Sequence, residues 1–144
     1  MPHIRPIAIC VFRHHGKILV FEGHDPRKDE TFYRPLGGGI EFGERSADTI
    51  RRELREEINV EVRDLVYLGT LENIFTYDDE PGHEIVQVYD GVLTEPGLYE
   101  QAVVLGHEAE VEEPFLAMWK SLDEFGTGGS ILYPDGLLEM LSGN

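Results

Sequence analysis

The chain predicts an α/β layered fold, on three observations. Residues 4–13 have the apolar make-up of a largely buried strand, and residues 47–58 repeat their apolar positions with helical period. Further extended segments follow, and a short helical pattern closes the chain at residues 135–141. Taken in order, Ile4, Ile7, Ile9, Val11 and Phe12 make the first strand. His14-His15-Gly16-Lys17 is a turn, and Ile18-Leu19-Val20-Phe21 returns as the second strand of a hairpin. Gly23 to Glu30, with Asp25-Pro26 inside it, reads as a loop. Thr31 to Pro35 leads into Gly37-Gly38-Gly39, read as a glycine-rich turn, and the short Ile40-Glu41-Phe42 segment. After the helix, Val60 to Phe75 is extended, Tyr77 to Gly82 turns, and Glu84 to Leu93 is a strand. Pro96 to Gly106 reads as irregular and mobile, Phe115–Trp119 as a strand, and Ser121–Phe125 as a turn. The expectation is a mixed sheet with two main helices in one domain, residues 1–144.

Composition sets limits on function. Hydrophobic residues are 41% and charged residues 28% of the 144, ordinary values for a folded domain that buries about two-thirds of its unfolded surface. The longest apolar run, Ile7 to Phe12, falls far short of the roughly 20 residues that span a bilayer, so no membrane association is expected. The first residues lack the apolar core of a secretory signal, and the single cysteine, Cys10, sits in an apolar run as a core residue. A cytoplasmic location follows as the expectation. Net charge is −16, and it is unevenly placed: residues 1–63 carry 11 basic and 11 acidic residues, whereas residues 64–144 set Lys120 alone against 17 acids. Such a surface repels phosphate backbones, which disfavours extended nucleic acid as a partner. An anionic substrate therefore requires a local basic pocket or bridging cations.

The segment Ser46 to Asn59 carries the chemistry. At about 100° per residue, Glu53, Glu56 and Glu57 share one flank as i, i+3 and i+4 neighbours, apart from the apolar stripe of Ala47, Ile50, Leu54 and Ile58. Like charges at that spacing destabilise a helix, and a hard divalent cation such as Mg²⁺ removes the repulsion. Solvated acids on a surface helix are the plain alternative. Upstream, the glycine run lets backbone approach an ion or phosphate closely. Glu44 stands eight residues before Arg52, in position to tie the loop to the helix. Ser46 is suited to the N-cap, and Asn59 to the left-handed residue that ends a helix.

Together these positions read Gly38-x5-Glu44-x7-Arg52-Glu53-Leu54-x-Glu56-Glu57-x-Asn59-Val60, which resembles the signature box of the Nudix hydrolases. The match departs from that pattern at Asn59, which replaces the usual glycine, and at Leu36, where many members have proline. Neither change removes an acid.

The resemblance implies a Nudix-type α/β/α sandwich and the hydrolysis of a diphosphate linkage in a nucleoside diphosphate derivative, by water attack on phosphorus. It implies Mg²⁺ or Mn²⁺ held by Glu53, Glu56 and Glu57 with the Gly37 carbonyl, and a structural role for Gly38, Glu44 and Arg52. Glu53 and Glu57 are the first catalytic candidates. Many members recruit a further acid from a later loop, for which Glu113 is best placed, with Glu110 and Glu112 as rivals. Arg34 is a candidate for phosphate oxygens, and Phe75 and Tyr77 for stacking on a base. ADP-ribose enzymes of the family carry a proline where Phe75 and Thr76 stand here, whereas dinucleoside polyphosphate hydrolases often carry a tyrosine at the position of Tyr77. A non-catalytic nucleotide-sensing module is the competing class, and loss of box acids would mark it. The isomerase branch needs a catalytic cysteine, to which Cys10 in a core strand is poorly suited. A small nucleotide-type partner is expected, and a homodimer is compatible with these residues without being specified by them.

Overall fold

The first hairpin forms where alternation and turn chemistry agree. Strand β1 (Arg5–His14) and strand β2 (Lys17–Asp25) join through His15 and Gly16, both at positive φ (52° and 76°), the handedness that matches strand twist. The computed structural model describes residues 2–108 and 111–143, apart from the side chains at 108 and 111–113. Strand β3 spans Glu30–Gly39, helix α1 Ser46–Ile58, strand β4 Val62–Tyr77 and strand β5 Glu80–Leu93. A 3₁₀ turn at Pro96–Glu100 precedes strands β6 (Val103–Glu108) and β7 (Val111–Ser121). Helix α2 (Leu122–Gly126), strand β8 (Ile131–Leu132) and helix α3 (Leu137–Ser142) complete the chain.

The strands lie in the order β4-β5-β1-β3-β2-β7-β6, with β8 paired in parallel to β3. Strand β5 runs parallel to β1, from Arg5↔Glu84 to Phe12↔Gly91, and the other neighbours are antiparallel. One strand makes this arrangement unusual. The first half of β3 pairs antiparallel with β2 (Asp25↔Glu30 to Val20↔Pro35), and its second half pairs antiparallel with β1 (Cys10↔Leu36 to Ile7↔Gly39). β1 and β2 pair with each other only at Arg13↔Ile18 and His14↔Lys17 and then splay apart, and β3 passes from one arm to the other at Pro35–Leu36 as a single continuous strand. It fills the crotch of a V whose arms are β1 and β2.

The period of β1 divides the protein into two cores. Ala8, Cys10 and Phe12 face Leu36, Ile50 and Leu54, and so pack beneath α1. Ile7, Ile9 and Val11 face the opposite way, with Val86, Val88, Leu137 and Leu141, beneath α3. Helices therefore cover both faces of the sheet. Cys10 is fully buried, and desolvation pushes its thiol well above the ordinary range.

Four sequence expectations need correcting. The triglycine is the end of β3 and not a turn, and Gly23 to Asp25 belongs to β2. Glycine is required at Gly37 because φ is 154° and a Cβ would lie 2.0 Å from the Ala8 carbonyl oxygen. The stretch Pro96–Gly106 is ordered: Leu98 is buried, its carbonyl accepts from Trp119 Nε1 at 3.1 Å, and Tyr99 stacks on Trp119. The turn at Ser121–Phe125 is a short helix, closed by a reciprocal capping box between Ser121 and Glu124.

Three hairpins share one packing device. Phe32 lies opposite Gly23, Phe75 opposite Gly82 and Phe115 opposite Gly106, each ring folded over the glycine that faces it. A Cβ on those glycines would meet the rings at 2.5, 2.3 and 2.3 Å.

Leu54, fully buried under α1, is the test of this layering. Leu54→Ala is expected to lower the unfolding free energy by about 2–5 kcal/mol in denaturant titration. Ile74→Ala, at a 68% exposed position on β4, should change it by no more than about 0.5 kcal/mol.

Candidate active site

One arginine organises the acidic helix. Arg52 donates from Nε to Glu44 Oε2 at 2.8 Å and from Nη2 to Glu44 Oε1 at 3.0 Å, a two-pronged fork. Its Nη2 also donates to the carbonyl oxygen of Gly39 at 3.0 Å. A single side chain thereby joins the end of β3, the following loop and α1. Glu44 Oε1 accepts further from the Thr49 hydroxyl at 2.7 Å and the Glu41 amide at 3.2 Å. These donors, Arg52 foremost, hold the Glu44 carboxyl down at about 2, and the Arg52 guanidinium is raised in turn.

The helix ends are built differently. Arg45, not Ser46, is the N-cap residue; Ser46 opens the helix, and its hydroxyl shares a 2.6 Å hydrogen bond with the Tyr89 hydroxyl. Asn59 adopts the left-handed conformation (φ 53°, ψ 46°), and its amide donates back to the Arg55 carbonyl oxygen at 3.0 Å.

The carboxylates of α1 face this centre. Glu53 Oε1 accepts from Arg52 Nη1 at 2.9 Å, Glu56 Oε2 lies 3.4 Å from the same nitrogen, and Glu41 Oε1 lies 3.6 Å from it. Glu53 also rests on bare backbone: a Cβ on Gly38 would sit 2.4 Å from its carboxyl carbon. Glu57, one turn on, is only 4% exposed. Among the described residues no three acidic, histidine or cysteine side chains are gathered closely enough to enclose an ion as they stand. The convergence point of Glu41, Glu53 and Glu56 holds Arg52 Nη1 instead. The donor set nevertheless suits a hard divalent cation. Four carboxylates surround one guanidinium, Glu57 is buried one helical turn after Glu53, and the absence of a Cβ at Gly38 makes room for the Glu53 carboxyl.

Next to Gly37 and Gly38 a cleft of about 180 Å³ opens, lined by Arg5, Ile7 and Ile9 of β1, Phe21 of β2 and Arg34 of β3. Arg34 also lines a smaller cavity of about 40 Å³, together with Phe75, Asn73, Asp25 and Tyr133. The Phe75 ring is committed to Gly82 on one face. Tyr77 is 43% exposed; its hydroxyl donates to the His24 carbonyl oxygen at 3.1 Å and its ring meets Phe32 edge-on. Arg34 and Phe75 are thus brought together, and Tyr77 instead bridges the β4–β5 tip to the β2–β3 turn. Glu113 belongs to β7, but its side chain lies outside the described residues, as do that of Glu112 and the whole of Glu110.

Sequence reasoning missed Glu84, 3% exposed, which faces Arg34 and Arg5. Its signal was parity: Glu84 falls on the same strand face as the buried Val86 and Val88. Asn73, 2% exposed, was missed as well, and it donates to Glu84 at 3.4 Å.

A helix-covered mixed sheet, in which an arginine locks an acidic helix against a glycine-ended strand beside a cleft, defines a protein that concentrates carboxylates at one rim. The chain belongs to the Nudix hydrolase family, whose NUDIX domain matches residues 1–134. The NUDIX hydrolase from Nitrosomonas europaea superposes with a TM-score of 0.67 at 16% identity, over 97% of this chain and 87% of that one. The E. coli ORF135 protein gives 0.61 at 19% identity, over 99% and 91%. Among curated proteins, the NAD-capped RNA hydrolase NudC of Pseudomonas fluorescens is 36% identical over 69 residues, which are 48% of this chain and 24% of that protein. The matched segment is thus about a quarter of the relative's length. Family members generally use divalent metal ions. No helix among the described residues is long and apolar enough to cross a membrane.

The Glu44–Arg52 fork gives a pH prediction. A carboxyl depressed from 4.5 to about 2 stabilises the fold fully above pH 4.5, and that contribution disappears as pH falls towards 2. The stability gap between wild type and Glu44→Gln should be widest above pH 5 and should close towards pH 2 in chemical denaturation.

Proposed function

We propose that this protein hydrolyses the diphosphate linkage of a small nucleoside diphosphate derivative, with Mg²⁺ or Mn²⁺ as cofactor. The observation that carries the reading is the seating of Glu53 on the Cβ-free Gly38, beside the cleft and beside Glu56 and the buried Glu57. Glu53, Glu56 and Glu57, with the Gly37 carbonyl, are the groups we assign to the cation. When bound, such a cation neutralises phosphate charge and acidifies water. The chain's own part is to hold these acids in register and to accept a proton. Glu53, at the rim of the cleft, is our choice for the group that takes it from the attacking water, and Glu113 from β7 is the second choice. Arg52 and Glu44 hold the helix against the glycine strand. Because all four box glutamates are in place, we favour an enzyme over a nucleotide-sensing module.

Similarity to NudC brings NAD-capped RNA into the set of compounds to compare. The 17 acids that face Lys120 alone over residues 64–144 argue for a small nucleotide in preference to an RNA body. Tyr77 keeps dinucleoside polyphosphates in the same set. We take residues 1–144 as one domain and the cytoplasm as its place.

A screen of nucleotide sugars, dinucleoside polyphosphates, ADP-ribose, NAD and nucleoside triphosphates, with each product identified, tests the reaction class. Glu53→Gln and Glu57→Gln should each reduce turnover by roughly 100-fold or more while leaving the melting transition in place. Retained activity in both variants refutes the assignment of roles. A comparable fall in Glu113→Gln and none in Glu53→Gln transfers the proton-accepting role to β7.

A further inference from the structure

We propose that the cleft between the two strand arms is an oxyanion subsite, where Arg5 and Arg34 take a phosphate other than the pair joined by the scissile bond. The two arginines differ from Arg52 in how well they are satisfied. Arg52 makes four contacts of 2.8 to 3.0 Å. Arg34, with its side chain only 20% exposed, has Glu84 as its one acceptor among the described residues, and at 3.5 Å. Arg5 reaches the other oxygen of Glu84 at 3.9 Å. A guanidinium carries five N–H donors, and Arg34 commits only Nη2, through one long contact, so its other donors stay available at the cleft. An oxyanion placed between the arginines would meet them.

Glu84 belongs to the site without filling it. Its carboxylate is 3% exposed and is held from behind by Asn73 Nδ2 at 3.4 Å, while Asn73 Oδ1 accepts from the Asp135 amide at 3.1 Å. Glu84 is therefore a positioning residue that aims both arginines into the cleft, and the three side chains leave a local charge of +1 in a protein of −16. Walls of Ile7, Ile9, Phe21 and Pro35 lower the local dielectric and strengthen attraction to an anion. About 180 Å³ accommodates a phosphate group with the atoms that carry it. Gly38 lines the cleft and also lies against Glu53 of α1, so the subsite and the acidic helix share one residue.

That the oxyanion is part of the substrate rests on the hydrolase reading above; that the cleft binds one does not. The same chemistry is offered by a third phosphate in a polyphosphate chain and by a phosphomonoester on a ribose. Calorimetry with tripolyphosphate in EDTA measures the cleft without metal or turnover. Wild type should bind it, and Arg5→Gln and Arg34→Gln should each weaken binding by about tenfold. Glu84→Gln should tighten it. Absence of binding by wild type, or unaltered affinity in both arginine variants with intact melting transitions, overturns the proposal. If wild type turns over no nucleotide, the hydrolase reading fails while this measurement still decides the subsite. With an active enzyme, Arg34→Gln should lower kcat/KM for triphosphates if the chain supplies the oxyanion, and for ribose-phosphorylated dinucleotides if the sugar does. Equal losses on substrates with and without the extra phosphate overturn the subsite's role in catalysis.

Discussion

The fork between Arg52 and Glu44 is the constraint on which the site depends. Without it, β3 ends in three glycines, a run with little conformational preference of its own, and α1 carries three acids on one flank with no counter-charge. With it, the Gly39 carbonyl, the loop acid and the helix are referred to a single guanidinium, at distances of 2.8 to 3.0 Å. The pair is largely shielded, its side chains 23% and 16% exposed, so it is screened less than the surface ion pairs elsewhere in the protein. Arg55–Glu61, with both partners more than half exposed, has similar bond lengths and far less structural consequence.

Packing supplies the second half of the arrangement. The apolar stripe of α1 is buried on Ala8, Cys10 and Leu36, which sets the rotation of the helix about its axis and so decides which acids meet the glycine strand. The switch of β3 from β2 to β1 supplies the position of that strand. Because β1 and β2 splay, one continuous β3 pairs with both, and the change of partner at Pro35–Leu36 delivers Gly37 and Gly38 to β1 while Arg34 stays paired to β2.

Much of this was legible in the residues. The period of β1, the turn at His15–Gly16, the helix with its acids set apart from its apolar stripe, and the left-handed Asn59 all follow from local rules, and local rules govern them in the fold. The strand character of the triglycine was not legible, because glycine weakens local strand preference and only the pairing with Ile7 to Ile9 imposes it. The cap at Arg45 was hidden for a similar reason: Tyr89, forty-three positions away, engages the Ser46 hydroxyl. Glu84 was hidden in part. Its parity marks it as inward-facing, but the arginines that make an inward acid tolerable come from β1 and β3.

The V of β1 and β2 has a mechanical consequence. The two arms belong to different halves of the sheet, with β3 bonded to both, so anything seated in the cleft against Arg5 of β1 and Phe21 of β2 touches both halves at once. Such a guest acts as a rivet. Its binding energy is set against the opening of the arms, and breathing of the sheet and escape of the guest become one event.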